Sequence, residues 1–119
     1  MKNVDFLPID PQGWYHGNIK NKEPHGLGIV CYSEDKSDRG LFKDGVLNGP
    51  GRSLYETGDV YDGFYKDGKF HGVGVYFKSQ TEQYLYGMYE NNECIQALTL
   101  GNGYPHELIS NEIIFGINN

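Results

Sequence analysis

The chain contains 119 residues with a formal net charge of −6 at pH 7 and 17 glycines, about twice the glycine content (~7%) of an average protein. This length is typical of one domain, and the acidic charge argues against nucleic-acid binding, because a nucleic-acid or membrane-surface binder generally needs a basic footprint. No apolar run approaches the ~18 residues of a membrane-spanning helix and residues 1–13 lack the uninterrupted apolar core of a secretory signal, so we expect a cytoplasmic protein.

Residues 1–12 precede the first regular pattern of the sequence. Their apolar residues are interrupted by Pro8 and Pro11, and neither a helix nor a central strand accommodates proline well. We therefore expect an extended N-terminal lead-in that covers the first edge of the sheet predicted below.

A glycine repeat runs through residues 13–100. Further glycines follow Gly63 after nine and eleven residues, and the same offsets recur from Gly17 and Gly40, so that these anchors are 23 residues apart. A fourth anchor, Gly87, comes after 24 residues but lacks the later glycine pair, and we interpret it as an incomplete terminal copy. A fixed period of this size is typical of repeat proteins, in which each unit buries its apolar face against its neighbours.

Each copy of the repeat predicts a β-hairpin. A run rich in Tyr and Phe precedes a turn such as Lys-Asp-Gly at residues 43–45 or 66–68, and a second short apolar run follows. Asp-Gly is a strong hairpin signal because glycine readily takes the positive φ that the turn requires. With links between copies at 33–37, 56–59 and 79–83, the pattern predicts an all-β protein, a single-layer antiparallel meander. The predicted strands are 14–20, 27–32, 38–43, 50–55, 60–66, 72–78, 84–90 and 95–100.

The third copy reads YDGFYKDGKFHGVGVY from residue 61 to residue 76. It resembles the MORN repeat, whose pattern is close to YEGEW..G..HG.G.Y, and the resemblance covers about residues 13–100. The resemblance implies a non-catalytic module for protein-protein interaction or scaffolding. The departures from the pattern are Ile19 and Lys22 in the first copy and Asp38 and Asn48 in the second.

Alternation along each strand assigns its side chains to one of two faces. On one of them, the glycine face, the repeat glycines alternate with aromatic residues, which indicates that rings or another backbone approach the sheet closely there. The opposite face mixes apolar and charged residues and has no obvious second layer. Together with the resemblance, the aromatic residues predict a glycine-floored groove that accepts a peptide or helix of a protein partner. The predicted partner-binding residues are Tyr15, Phe42, Tyr55, Tyr61, Tyr65, Tyr76 and Tyr89.

The sequence contains no pattern typical of a catalytic, cofactor or metal site. His25 and His71 occupy equivalent slots two copies apart, and strand spacing separates them by ~19 Å, too far for a shared metal ion. No nucleophile elbow, phosphate-binding loop or clustered metal-ligand spacing is present. We therefore expect no enzyme activity, cofactor or metal.

The charges of the predicted turns divide between two rims of the sheet. One alternative function is weak binding of anionic phospholipid through the basic rim. We favour it less than binding of a protein partner. A second alternative is a homodimer through the incomplete fourth copy. The basic turns carry Lys20, Lys22, Lys43, Lys66 and Lys69, and the acidic turns carry Glu34, Asp35, Glu56, Asp59 and Glu82.

Residues 101–119 are predicted to form a C-terminal cap. Pro105 is suited to the first turn of a helix, and Leu108, Ile109 and Ile113 are close to helical spacing. We expect a short helix that either caps the last hairpin or folds back over the glycine face, where it would fill the groove. The competing interpretation is an extra strand over residues 112–117.

Overall fold

The structure, which is a computed structural model, describes residues 4–9 and 13–109. Nine strands form one antiparallel sheet, in which the spatial order of the strands equals their order in the chain. The predicted all-β antiparallel meander is therefore confirmed. The strands are β1 (Val4–Ile9), β2 (Gly13–Lys20), β3 (Glu23–Ser33), β4 (Lys36–Lys43), β5 (Val46–Leu54), β6 (Val60–Lys66), β7 (Lys69–Lys78), β8 (Gln83–Glu90) and β9 (Glu93–Asn102).

The N-terminal residues contribute a strand that the sequence did not predict. Strand β1 pairs with β2 from Val4 opposite Asn18 to Ile9 opposite Gly13. It tolerates Pro8 because, among the described residues, β1 pairs on one side only, and an edge strand needs fewer backbone donors than a central one.

The second strand of each copy begins earlier than predicted. The predicted strand at residue 27 begins at Glu23, and those at residues 50 and 72 begin at Val46 and Lys69. In the first two copies the first glycine of the pair was placed before the strand. Gly26, for example, takes a φ of 100° and yet lies within the paired strand β3, opposite Phe42.

The hairpin turns within the copies have the predicted chemistry. Asp44 and Gly45 have φ angles of 51° and 91°, and Asp67 and Gly68 have 51° and 84°. Two consecutive positive φ angles match the right-handed twist of the flanking strands, which is why Asp-Gly is favoured there. In the first copy Lys22 adopts a φ of 66° at the position where these two copies have glycine.

The repeat glycines line up in one row across the sheet. A step of 23 residues advances two strands and returns to the same height, so that Gly40 and Gly63 each face a glycine on both neighbouring strands. Gly17 faces Asp5 on β1. On β9 the row ends at Ala97. In order, the row contains Gly17, Gly28, Gly40, Gly51, Gly63, Gly74 and Gly87.

A β-bulge follows the anchor glycine in each of the first three copies, for instance between Gly63 and Tyr65. The extra residues lie on β7, where residues 71–73 face the single residue Phe64, whose carbonyl oxygen accepts a hydrogen bond from the hydroxyl of Tyr61 at 3.0 Å. A bulge bends its strand and increases the local twist. Repetition of the bulge at the same place therefore bends the whole sheet in one direction and makes the glycine face concave.

The described C-terminal residues cover the face opposite the glycines. Ile109 is 7% exposed and packs with Val60, Val75 and Phe77, and the Tyr104 ring lies 5.1 Å from that of Phe77 in an edge-to-face contact. The expectation that this segment folds back over the glycine face is wrong for residues 104–109. Residues 104–109 instead form part of a second layer on the opposite face, for which the sequence indicated no covering layer.

The predicted C-terminal helix lies mostly outside the described residues. Within them, the amides of Leu108 and Ile109 both donate to the carbonyl oxygen of Pro105 at 3.0 Å, which forms one hydrogen-bonded turn. The remainder of that helix and the alternative strand at 112–117 fall in residues 110–119, which the structure does not describe.

The opposite face also buries an ion pair between neighbouring strands. Arg52 on β5 and Asp62 on β6 are 7% and 2% exposed, and the Asp62 Oδ2 atom lies 2.6 Å from Arg52 Nε and 2.5 Å from Nη2. The other oxygen, Oδ1, has no hydrogen-bond partner among the described residues. Burial raises the pKa of Asp62 to about 6 although the guanidinium lowers it.

Candidate functional site

The repeat glycines indicated that rings or another backbone approach the sheet closely. The groups that do so are aromatic rings of the sheet itself. An added Cβ at Gly74 would overlap the hydroxyl and ring of Tyr61, and one at Gly28 would overlap Tyr15 in the same way. Both tyrosines are 0% exposed. The glycine row is therefore the surface on which the rings of the concave face rest.

The rings then pack against one another from copy to copy. Tyr15 makes an edge-to-face contact with Phe42 at a centroid distance of 5.2 Å, and Tyr61 makes the equivalent contact with Tyr89 at 5.3 Å. Phe70 stacks on Tyr61 at 3.7 Å. Such edge-to-face and stacked pairs stabilise a core beyond the area that they bury.

This packing changes the role of most predicted partner-binding residues. We expected these seven residues to line a groove open to a partner, but five of them are at most 5% exposed, because curvature and the glycine floor let the rings bury one another. They form a core, and Tyr55 and Tyr76 are the two that are half-buried. Partner binding by any of the seven stays a prediction. The buried five are Tyr15, Phe42, Tyr61, Tyr65 and Tyr89.

A groove of about 700 Å³ remains open on the concave face. Tyr32, Tyr55 and Tyr76 line it toward the acidic rim, and Val46 and Phe70 line it toward the basic rim. Tyr55 stacks on Tyr76 with a centroid distance of 6.1 Å and an interplanar angle of 29°. The larger open part of the predicted groove thus lies at the second and third copies, and a smaller cavity of about 330 Å³ continues along the same face to Leu85 and Tyr89 of the fourth.

The groove opens where the repeat departs from its own pattern. Asp38 occupies the slot that Tyr15 and Tyr61 fill in the neighbouring copies, and no ring from this slot covers the sheet. The Ser53 hydroxyl donates to Asp38 Oδ1 at 2.6 Å and in turn accepts from Tyr65 Oη at 2.5 Å. Asp38 is absent from the predicted site, although its substitution for tyrosine in the repeat was a signal that could have identified it.

A second carboxylate lies at the same end of the groove. Tyr76 Oη donates to Asp59 Oδ2 at 2.8 Å, and Asp59 Oδ1 accepts from the amide of Ser79 at 2.8 Å. Burial, together with the nearby Asp38 carboxylate, raises the pKa of Tyr32 to about 12, and burial raises that of Tyr76 as well. Both phenols therefore remain protonated donors at neutral pH, beside two carboxylates.

The repeat position of His25 and His71 is occupied in the second copy by Asn48, which makes a local hydrogen bond. Asn48 Nδ2 donates to Asp67 Oδ1 at 3.2 Å, in the hairpin turn of the next copy. Across residues 4–9 and 13–109, no group of three or more His, Cys, Asp or Glu residues is arranged to hold a metal ion. In the same part of the chain, no helix has the length and hydrophobicity that crossing a membrane requires.

Comparison with known sequences identifies the repeat. The MORN repeat matches residues 15–34, 39–60 and 61–81, which together are more than half of the chain. The chain therefore belongs to the MORN repeat family, and the repeats of this family are generally associated with protein and membrane interactions. The match comprises three copies, and strands β8 and β9 continue the same sheet beyond them.

The chain is similar to short parts of much longer proteins. Alsin from Mus musculus is 31% identical over 84 residues and Alsin from Homo sapiens 30% over 84, each covering 66% of this chain and 5% of the relative. The human ALS2 C-terminal-like protein is 38% identical over 71 residues, covering 55% of this chain and 8% of the relative. The chain thus spans less than a tenth of these relatives.

Proposed function

We propose that this chain is a non-catalytic interaction module that holds a peptide or helix of a protein partner in the groove of its second and third copies. The observation that carries this proposal is the 700 Å³ groove, which Tyr55 and Tyr76 line as half-buried, mutually stacked rings. Aromatic side chains bury a large area at low entropy cost, and they are common anchors of interfaces.

The groove residues are held in place before any partner arrives. Asp59 fixes the hydroxyl of Tyr76, and Ser53 fixes that of Tyr65. Ordering side chains on association costs free energy, so a wall that is already ordered favours binding. The membership of a family associated with interactions supports the same proposal.

A random peptide library displayed on phage and selected on the immobilised chain tests the groove. Fluorescence anisotropy then measures the dissociation constant of a selected peptide for the unmodified chain and for Tyr76→Ala. We expect Tyr76→Ala to weaken binding about tenfold, the effect of losing an anchor worth ~1.4 kcal/mol. Phe64→Ala is the matched control, because Phe64 is 48% exposed on the opposite face, and it should leave binding unchanged.

The location of the bound peptide supplies the second readout. Hydrogen exchange of the complex should protect amides around Tyr55 and Tyr76. Protection confined to the opposite face, around Ile29, Leu54 and Val75, would show that the groove is not the binding surface. Equal affinity of Tyr76→Ala and the unmodified chain for the peptide would also show that the groove is not the binding surface.

Self-association through β9 is the second candidate function. Ile95, Leu98 and Leu100 are 61%, 51% and 68% exposed on this strand, whose outer edge is unpaired among the described residues. An apolar edge strand of this kind pairs readily with another chain. Light scattering after size exclusion should then show a dimer, and Leu98→Lys should return it to a monomer. A monomer at all concentrations would contradict this candidate.

Weak phospholipid binding through the basic rim is a third candidate, favoured by the stacking of the hairpin turns. Gly45 N donates to Pro24 O at 3.1 Å and Gly68 N to Leu47 O at 2.8 Å, which aligns successive lysine-bearing turns. Such a row can attract an anionic surface. Co-sedimentation with phosphatidylserine vesicles should then occur at low salt and weaken at physiological salt. Its absence at low salt would exclude this candidate.

A further inference from the structure

The second copy replaces a structural ring with a carboxylate. In the first and third copies, Tyr15 and Tyr61 rest on the glycine row and are fully buried. In the second copy this slot contains Asp38, whose half-buried side chain lines the groove. The exchange removes apolar volume from the core and adds a negative charge in its place.

The Asp38 carboxylate is held by hydroxyl groups. Its two oxygens accept from Ser53 at 2.6 Å and from Tyr32 at 3.2 Å. Among the described residues, no lysine or arginine forms an ion pair with it. Lys36 is exposed and lines the same groove, where its ammonium lies over the Tyr32 ring at 5.2 Å from the ring centroid.

We propose that this end of the groove binds an arginine side chain of the peptide that the groove holds, with the guanidinium paired to the Asp38 carboxylate. The inference rests on the proposed function and names the feature of the partner that the groove selects. The guanidinium meets both carboxylate oxygens in a planar fork, and tyrosine rings accept its flat face. Tyr55 provides such a ring in the same wall of the groove, whereas the Tyr32 ring already lies beneath the Lys36 ammonium.

Charge complementarity favours this occupant over an apolar one. Asp59 places a second carboxylate behind Tyr76 at the same end, and Glu34 and Glu56 lie in turns of the adjoining acidic rim. A half-buried carboxylate without a counter-ion loses hydration, and an incoming cation offsets that loss. An acidic or purely apolar peptide would leave Asp38 unpaired and would be disfavoured.

A titration with N-acetyl-arginine amide tests the site directly. Two-dimensional ¹⁵N–¹H NMR spectra of the full chain should show saturable shifts for the amides of Tyr32, Asp38 and Ser53. N-acetyl-citrulline amide, which has the same shape without the charge, should produce none. Equal shifts with both compounds, or shifts confined to other parts of the sheet, would overturn the proposal.

The variant Asp38→Asn removes the charge and keeps a side chain of the same size with an oxygen that can accept from Ser53. Its NMR spectrum should remain dispersed, and the arginine-dependent shifts should disappear. Glu34→Gln is the matched control, because it removes one charge of the acidic rim outside the groove wall, and it should retain the shifts. If Asp38→Asn folds and still responds as the unmodified chain does, the carboxylate is not the binding group.

A selected peptide separates this inference from the proposed function. We expect the peptide to contain an arginine whose replacement by citrulline weakens binding about tenfold, and that replacement should have little further effect in Asp38→Asn. One outcome is a peptide that requires Tyr76 and yet binds equally well after its arginine is replaced by citrulline and after Asp38→Asn. That result would overturn the arginine site and leave the groove proposal intact. Arginine amide that binds while no selected peptide requires Tyr76 would support the site and contradict the groove proposal.

Discussion

The ring of Tyr61 rests on Gly74 so closely that a single methyl group on this glycine would overlap the phenol oxygen. The backbone of Gly74 does not require glycine, since its φ lies outside the left-handed region. The glycine is needed because of the ring above it. Tyr15 and Gly28 form the same pair in the first copy.

Gly74→Ala should therefore lower the free energy of unfolding by ~1–3 kcal/mol, because the ring must move away from the sheet. Urea denaturation measures this change. In a Tyr61→Ala background the same substitution should cost far less, since the overlapping ring is gone. An equal cost in both backgrounds would show that overlap with Tyr61 is not the reason for the glycine.

The carboxylate of the second copy should reduce stability relative to the ring that it replaces. The double variant Asp38→Tyr with Ser53→Val reproduces the facing pair Tyr15 and Val30 of the first copy. We expect it to raise the thermal midpoint, because a ring fills part of the groove and makes an edge-to-face contact with Tyr65. A lower midpoint would instead identify the Asp38 and Ser53 hydrogen bonds as a stabilising part of the core.

Ile109 should anchor the C-terminal segment to the sheet. Ile109→Ala removes a side chain that is 7% exposed, so we expect a loss of ~2–5 kcal/mol in unfolding free energy. Phe64→Ala, at a position that is 48% exposed, is the control and should change little. Because residues 104–109 lie on the opposite face, Ile109→Ala should also leave peptide affinity unchanged. Stronger peptide binding by this variant would contradict that placement.

The Asp62 carboxyl should make stability depend on pH. Burial raises its pKa from 3.8 to about 6, so the folded chain binds this proton more tightly than the unfolded chain does. The contribution of the protonated Asp62 carboxyl to the free energy of unfolding is complete below about pH 4, and it is lost as the pH rises through about 6. Urea denaturation across this range should therefore show a decline that is smaller in Asp62→Asn. If stability instead rises with pH relative to that variant, Arg52 outweighs burial and the pKa is lowered.

The sequence was sufficient to predict the meander because the glycine spacing and Asp-Gly turns are local signals. Gly63 and Gly68, for example, are placed by period and by turn chemistry alone. The burial of Tyr61 and Tyr65 was not predictable in this way. It depends on the direction in which the bulges bend the sheet, and alternation along a strand contains no information on curvature. Tyr65 was therefore placed on the correct face but interpreted as exposed.

The candidate site was harder to predict for a related reason. Asp38 and Asn48 were both visible as departures from the repeat, yet the sequence alone does not distinguish a departure that opens a groove from one that does not. Asn48 bonds to a neighbouring turn, whereas Asp38 leaves space above the sheet. The position of Ile109 on the opposite face also depends on the path of the chain after β9, and helical spacing cannot specify that path.

The hairpin turns are linked by hydrogen bonds that connect each copy only to the one before it. These bonds run from Gly45 N to Pro24 O, from Gly68 N to Leu47 O and from Asn92 N to Phe70 O. The contacts therefore set no upper limit on the number of copies. Duplicating any whole 23-residue unit would keep every strand against its usual type of neighbour and widen the sheet by ~10 Å. A one-residue insertion within a strand would move its rings to the other face, but the 24-residue step from Gly63 to Gly87 keeps Gly87 opposite Gly74. The sheet can therefore gain length in whole hairpin copies rather than by one fixed number of residues.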